Sequence, residues 1–134
     1  MLVDQFDSLC RFLRDHVSGY EELEALLLIA RQAERSWTAD EVAASLNVPV
    51  EPIATALGRL VATELVEVVQ GGERAAYRYA ARTDMLRDKV AELQRAYAEQ
   101  RLMVMQMMST NALERVRTAA HQRFADAFRL ERKK

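Results

Sequence analysis

Arg74 and Arg78 lie just beyond the tetrapeptide Gln70-Gly71-Gly72-Glu73, and Tyr77 and Tyr79 alternate with Arg78. Guanidinium groups on a turn-tipped segment are suited to phosphate, each contact adding salt-sensitive affinity; exposed arginines on a hairpin are equally an ordinary solvated surface. Tyrosines that share one strand face beside a basic residue can stack on single-stranded nucleic acid, or can cover the buried side of a small sheet. The methionines Met103, Met105, Met107 and Met108 suit an adaptable groove or the core of a helix–helix dimer. Cys10 falls on an apolar helical stripe, where a thiol is a small core residue or a redox sensor. The terminal pair Phe124 and Phe128, next to Arg129, Arg132, Lys133 and Lys134, can touch an acidic membrane or dock on the rest of the protein.

Catalytic and metal chemistry find no comparable support. His16 and His121 are remote from one another, with no Cys, Asp or Glu at ligand spacing, so no metal is expected and no cofactor is implied. Gly71-Gly72 is not followed by a helix and a lysine, which excludes a phosphate loop, and neither G-x-S-x-G nor H-E-x-x-H occurs. Glu21, Glu22 and Glu24 crowd one first helical turn, where the helix dipole accounts for them. The expectation is a protein that is not an enzyme.

These groups belong to a chain of 134 residues and 15.3 kDa, the size of one domain with an appended arm. Half of the residues are hydrophobic, which excludes global disorder. The net charge of −1 excludes a histone-like or polybasic membrane binder. That near-neutral total hides an asymmetry, since residues 1–19 carry −1, residues 20–82 carry −4 and residues 83–134 carry +4. A single cysteine excludes an intrachain disulfide and a multi-cysteine zinc site. The longest apolar run, Ala25 to Ala30, is far short of the ~20 residues of a membrane span, and no membrane association is expected. Asp4 and Asp7 among the first apolar residues are unlike a secretory signal, so a cytoplasmic protein is expected.

Periodicity then supplies the elements that must hold these residues. Val3, Phe6, Cys10, Leu13 and Val17 recur at helical spacing and predict a first helix. Ser18 with Glu21 reads as a capping box for a second, whose Leu23 to Ala30 is apolar on most sides and is the expected centre of the core. Trp37 follows, and Thr38 with Glu41 repeats the box. Val42, Ala43 and Leu46 face inward on the short helix it opens, and Asn47 closes it. Pro49 and Pro52 suit a turn and the first turn of a further helix, running to about Glu64 with Ile53, Leu57, Leu60 and Val61 inside. The runs Leu65 to Val69 and through Tyr77 and Tyr79 predict a hairpin around Gly71-Gly72. From Thr83 the helical period returns. Leu86, Val90, Leu93, Tyr97, Val104 and Met107 form a heptad seam interrupted at Gln100, which either fixes register between paired helices or faces solvent. Asn111 with Glu114 predicts one more helix start, and Leu113, Val116, Ala120, Phe124 and Phe128 the stripe of the last helix.

Helix, short helix, proline-containing turn, helix and glycine-tipped hairpin, with the core spacing of TADEVAASLNVPVEPIATALGRLVATELVEVV, resemble the winged helix-turn-helix superfamily of bacterial transcriptional regulators over residues 20–82. Residues 83–134 look similar in role to the flanking helices through which PadR-like and MarR-like regulators dimerise. The resemblance implies a mainly α fold with a small β-hairpin, organised as an N-terminal helix (1–19), a winged-helix domain (20–82) and a C-terminal helical dimerisation region (83–134). It implies a homodimer on duplex DNA, with the third helix in the major groove and the wing on phosphate. Carried over by position, Val50, Glu51, Ala54, Thr55 and Gly58 face the groove with Arg59 near its edge. The DNA-binding candidates are Thr55, Arg59, Arg74, Arg78 and Arg82; Arg59 also reads as half of a surface ion pair. The dimerisation candidates are Leu93, Tyr97, Val104, Met107 and Met108. This set departs from the superfamily's habit, because it has one base-reading hydroxyl, and Glu51 and Glu73 oppose the phosphate field. The alternative is a protein–protein interaction module that no longer binds DNA, with Val50, Ala54 and Gly58 forming an apolar partner groove.

Overall fold

The computed structural model describes residues 3–70 and 74–132. Among them the chain runs through α1 (Val3–His16), α2 (Tyr20–Arg31), β1 (Trp37–Thr38), α3 (Ala39–Leu46), α4 (Val50–Ala62), β2 (Val66–Gln70), β3 (Ala75–Tyr79), α5 (Asp84–Glu99) and α6 (Arg101–Arg132). The predicted glycine tip of the hairpin, Gly71-Gly72, lies outside the described residues.

The leucine-rich α2 is the hub of the core, as its composition predicts. Leu23, Leu26 and Ile29 are fully buried, and α2 packs on α4, whose Ile53, Leu57 and Leu60 are equally inaccessible. Between them α3 is fixed locally at both ends. The Thr38 hydroxyl accepts from the Glu41 N–H at 3.2 Å, and the Glu41 carboxylate accepts from the Thr38 N–H at 2.9 Å. At the other end Asn47 adopts φ 58°, a left-handed stop that asparagine tolerates. Local chemistry thus sets the α3–α4 turn before any long-range packing is added.

The hairpin is wider than its sequence signal. β1, only two residues long, adds to β3 and makes an antiparallel sheet of order β1-β3-β2, with Trp37 opposite Tyr77. Alternation needs about four residues to show itself, so Trp37-Thr38 left no periodic trace. Tyr77 and Tyr79 are half-buried and pack on the core, the covering role rather than a stacking platform.

Three local expectations are corrected, and the alternative left open at Gln100 is decided for solvent. The Ser18–Glu21 box does not form: Gly19 is the cap residue of α2, and the neighbouring Glu22 reaches back instead, taking the Ser18 N–H and hydroxyl at 2.8 Å each. Glu22 is buried whereas Glu21 points to solvent, a choice that spacing alone does not reveal. Helix α4 ends at Ala62, because Glu64 turns left-handed at φ 70° to launch β2. The heptad seam breaks at Gln100, which is exposed and separates α5 from α6. No helix starts at Asn111: α6 runs straight through it. The Asn111 side chain turns inward, its Nδ2 donating to the Cys10 carbonyl at 3.1 Å and its Oδ1 accepting from the Cys10 thiol at 3.5 Å. A side chain occupied by α1 cannot cap its own helix.

Helices α1, α5 and α6 pack together, burying Leu9 and Leu13, Val90 and Leu93, and Val104 and Met107 in a cluster continuous with α2 and α4. The C-terminal end of α1 is also tied to the end of α4. His16 Nδ1 donates to the Thr63 carbonyl at 3.0 Å, the Thr63 hydroxyl donates to the His16 carbonyl at 3.2 Å, and Phe12 stacks on the His16 ring. Beyond Asn111, residues 112–129 of α6 are all exposed. Among the described residues no helix is long and apolar enough to cross a membrane.

Candidate nucleic-acid interface

Because α4 buries Ile53, Ala56, Leu57 and Leu60 at helical spacing, its opposite face emerges from the protein. That face carries Val50, Glu51, Ala54, Thr55, Gly58 and Arg59, all exposed. The Thr55 hydroxyl is turned back onto its own helix, donating to the Glu51 carbonyl at 3.2 Å. Arg59 donates to the buried Glu22 at 3.2 Å, so it is tied to α2 rather than to the hairpin, while its guanidinium remains largely solvated. Gly58 has no packing rationale: a methyl group there would meet nothing within 4 Å. A glycine inside an exposed helix costs about 0.5–1 kcal/mol relative to alanine, so folding alone does not account for it.

The three wing arginines each face a carboxylate. Arg78 lies directly across the hairpin from Glu67 and donates to it at 3.0 Å. Arg82 reaches Glu64 at 3.4 Å, and Arg74 bridges to Asp40 in the first turn of α3. The side chains of Arg74, Arg78 and Arg82 are nevertheless 75%, 44% and 73% exposed. Solvated pairs of this kind are worth about 0.2–1 kcal/mol, so a phosphate can replace the carboxylate at little cost. Sequence reasoning missed these counter-ions. One was readable, since strands paired about a 71–74 loop bring Glu67 opposite Arg78; the Arg74–Asp40 pair is a tertiary contact with no local signal. Beside Asp40, the Thr38 N–H and then the Arg35 guanidinium hold the Glu41 carboxyl below its ordinary range.

The dimerisation candidates fall elsewhere than at a surface. Leu93, Val104, Met107 and Met108 are buried within the chain's own core, and Tyr97 is half-buried with the Arg101 guanidinium 5.2 Å from its ring. The exposed apolar residues of α6 are different ones: Leu113, Val116 and Phe124 are 59%, 66% and 68% exposed. Phe124 and Phe128 lie ring to ring at 5.7 Å and are 68% and 51% exposed, contrary to the docking reading. Burial, then the Glu114 and Asp7 carboxylates, push the Cys10 thiol above its ordinary range, which disfavours the reactive thiolate.

Three helices, α2 to α4, and a three-stranded sheet made by β1 and the β2–β3 hairpin define a winged helix-turn-helix fold. No protein-family model matches the sequence, and no curated protein matches it. Solved structures do resemble it. A point mutant of MarR from E. coli superimposes with a TM-score of 0.52 at 14% identity, over 92% of this chain and 88% of that one. A mutant MepR from S. aureus, bound to an oligodeoxyribonucleotide, gives 0.53 at 12% identity over 92% and 90%. The homodimeric winged helix-turn-helix DNA-binding domain of a possible ArsR-family regulator from Mycobacterium bovis gives 0.51 at 21% identity over 73% and 82%. The first two likenesses extend over nearly the whole chain, flanking helices included, and at these identities they establish the fold.

Proposed function

We propose that this protein is a bacterial, cytoplasmic transcriptional regulator that binds duplex DNA as a homodimer. In this reading residues 20–82 carry the DNA contacts, and residues 83–134 form the dimer. The observation that supports it best is the exposed outer face of α4 set in a winged-helix frame whose wing presents Arg74, Arg78 and Arg82 to solvent. Thr55 and Arg59 then address the groove, and the wing arginines exchange their carboxylates for phosphates. Few phosphates are engaged per protomer, so affinity is modest and strongly salt-dependent, and a dimer doubles the contacts. Fluorescence anisotropy on a mixed-sequence duplex at ~20 mM salt tests it, because electrostatic binding should be detectable there at micromolar protein. Binding that disappears in the Arg74→Ala/Arg78→Ala variant supports the proposal; no binding by the wild type overturns it.

The protein-interaction reading draws on the apolar, acid-rimmed surface of Val50, Ala54, Gly58 and Glu51. Under it, Ala54→Arg abolishes recovery of a protein partner in a pull-down, and unchanged recovery counts against it.

A further inference from the structure

Leu102, Met105, Ser109, Leu113, Val116, Ala120, Phe124 and Phe128 follow one another at spacings of three and four, so they form one stripe along α6. Its two halves have different surroundings. The first half lies on the body of the protein, where α1 and α6 border a shallow, open apolar groove of ≈ 480 Å³ lined by Phe6, Cys10, Met105, Gln106, Thr110 and Leu113. Tyr20 stands at the stripe as well, its hydroxyl 3.4 Å from the Ser109 hydroxyl. The second half projects beyond the body with Val116 and Phe124 bare. One helix therefore both borders an apolar groove and carries an apolar ridge.

The ridge cannot fill the groove of its own chain. At 1.5 Å per residue, Met105 and Phe124 stand about 28 Å apart on the same rigid helix. A second copy can fill it, and the stripe reads as its own complement. Reversed about the midpoint between Glu114 and Arg115, Leu113 faces Val116, the small Ser109 faces the small Ala120 and Met105 faces Phe124, with Leu102 and Phe128 one residue out of register. Bulky residues thus meet aliphatic ones, and the small pair falls where Tyr20 narrows the path. Charge agrees with this direction. Residues 116–129 of the projecting half carry Arg117, Arg123 and Arg129 against one carboxylate, Asp126, whereas Asp7 follows the groove residue Phe6 on α1 and Glu99 closes α5 two residues before α6. A parallel pair would instead align the three arginines with themselves.

We propose that α6 pairs antiparallel with α6 of a second copy about a two-fold axis between Glu114 and Arg115, each copy's Phe124 entering the other's groove beside Met105. The inference rests on the homodimer proposed above and specifies its register. Such an interface is isologous, so it closes at two copies.

The test is a Met105→Cys/Phe124→Cys variant of the full chain in a Cys10→Ser background, oxidised mildly and run beside each single-cysteine variant. Neither position is fully buried, so helicity by circular dichroism should be unchanged. The expected result is a linked species of twice the chain mass from the double variant and from neither single variant. Linkage through Phe124→Cys alone overturns the register in favour of a parallel pair. An unlinked double variant that light scattering shows to be dimeric overturns the register and leaves the homodimer standing. A monomeric mass for the wild type at tens of micromolar overturns both, whereas failure to bind DNA by a correctly linked dimer overturns only the DNA reading.

Discussion

Replacing Arg74 and Arg78 by alanine removes two wing guanidiniums per protomer while leaving the sheet they decorate intact. Both sit in solvated ion pairs, with Asp40 and Glu67, so the stability lost is at most about 1 kcal/mol for each pair. The effect on DNA binding is larger and has a distinct signature. In a homodimer, Arg74, Arg78 and Arg82 together can neutralise six phosphates, which corresponds to a slope of about −5.4 in log affinity against log salt. The variant retains only Arg82 in each protomer, and its slope falls to about −1.8. Between about 50 and 200 mM salt the wild type should lose roughly three orders of magnitude in affinity and the variant roughly one. Anisotropy titrations of a labelled duplex over that range measure both slopes, with thermal melts confirming that the variant is folded. Equal slopes would show that the wing does not meet phosphate. A wild-type slope shallower than about −2 would show that the arginines stay with their carboxylates.

Removing the counter-ions should act in the opposite sense. Asp40→Asn with Glu67→Gln spares a dimer four ion pairs of about 0.5 kcal/mol each, so low-salt affinity should rise roughly 30-fold in the same titration. Gly58→Ala should stabilise the fold by about 0.5–1 kcal/mol in urea unfolding, and the added methyl on the outer face of α4 should weaken DNA binding. A stabilised variant with unchanged affinity would argue against α4 in the groove. Glu22→Ala strips acceptors from the Ser18 N–H, the Ser18 hydroxyl and Arg59, and should cost about 2 kcal/mol by urea unfolding, with Glu22→Gln costing less. For Cys10, the native state holds its proton more tightly than the unfolded chain does. As pH rises through the ordinary cysteine range near about 8.5, the unfolded chain loses a proton that the native state keeps, so stability falls. Urea unfolding on the alkaline side should show that loss in the wild type and not in Cys10→Ser.

The parts of this architecture that are locally encoded were legible in the sequence. Thr38-x-x-Glu41, Asn47 and the two prolines delimit α3 and α4 by chemistry that acts within a few residues, and the structure has those elements where their signals lie. What escaped depends on which way a side chain turns. Asn111 has the spacing of a cap but is claimed by the Cys10 backbone, and Glu22 rather than Glu21 finds the Ser18 N–H. The apolar texture of α6 announces burial without saying against what. Met107 and Met108 went into the chain's own core, and Val116 and Phe124 were left outside. On the candidate DNA surface, the arginines could be named from sequence, but Asp40 as the partner of Arg74 could not, since tertiary folding alone brings it there; Glu64 meets Arg82 because the hairpin pairing runs on past β2 and β3, where the Arg82 N–H donates to the Glu64 carbonyl at 3.0 Å.

The double clasp between His16 and Thr63, together with Arg59 on Glu22, fastens one end of α4 to the α1–α2 corner. A helix tied at that end is biased to move with the α1–α2 corner as a lever moves with its fulcrum. Any event that slides α1 against α6 would therefore alter the span between the two reading heads of a dimer and leave the pitch of each head untouched. Operators cut to different half-site spacings, rather than different bases, would be the place to look for control.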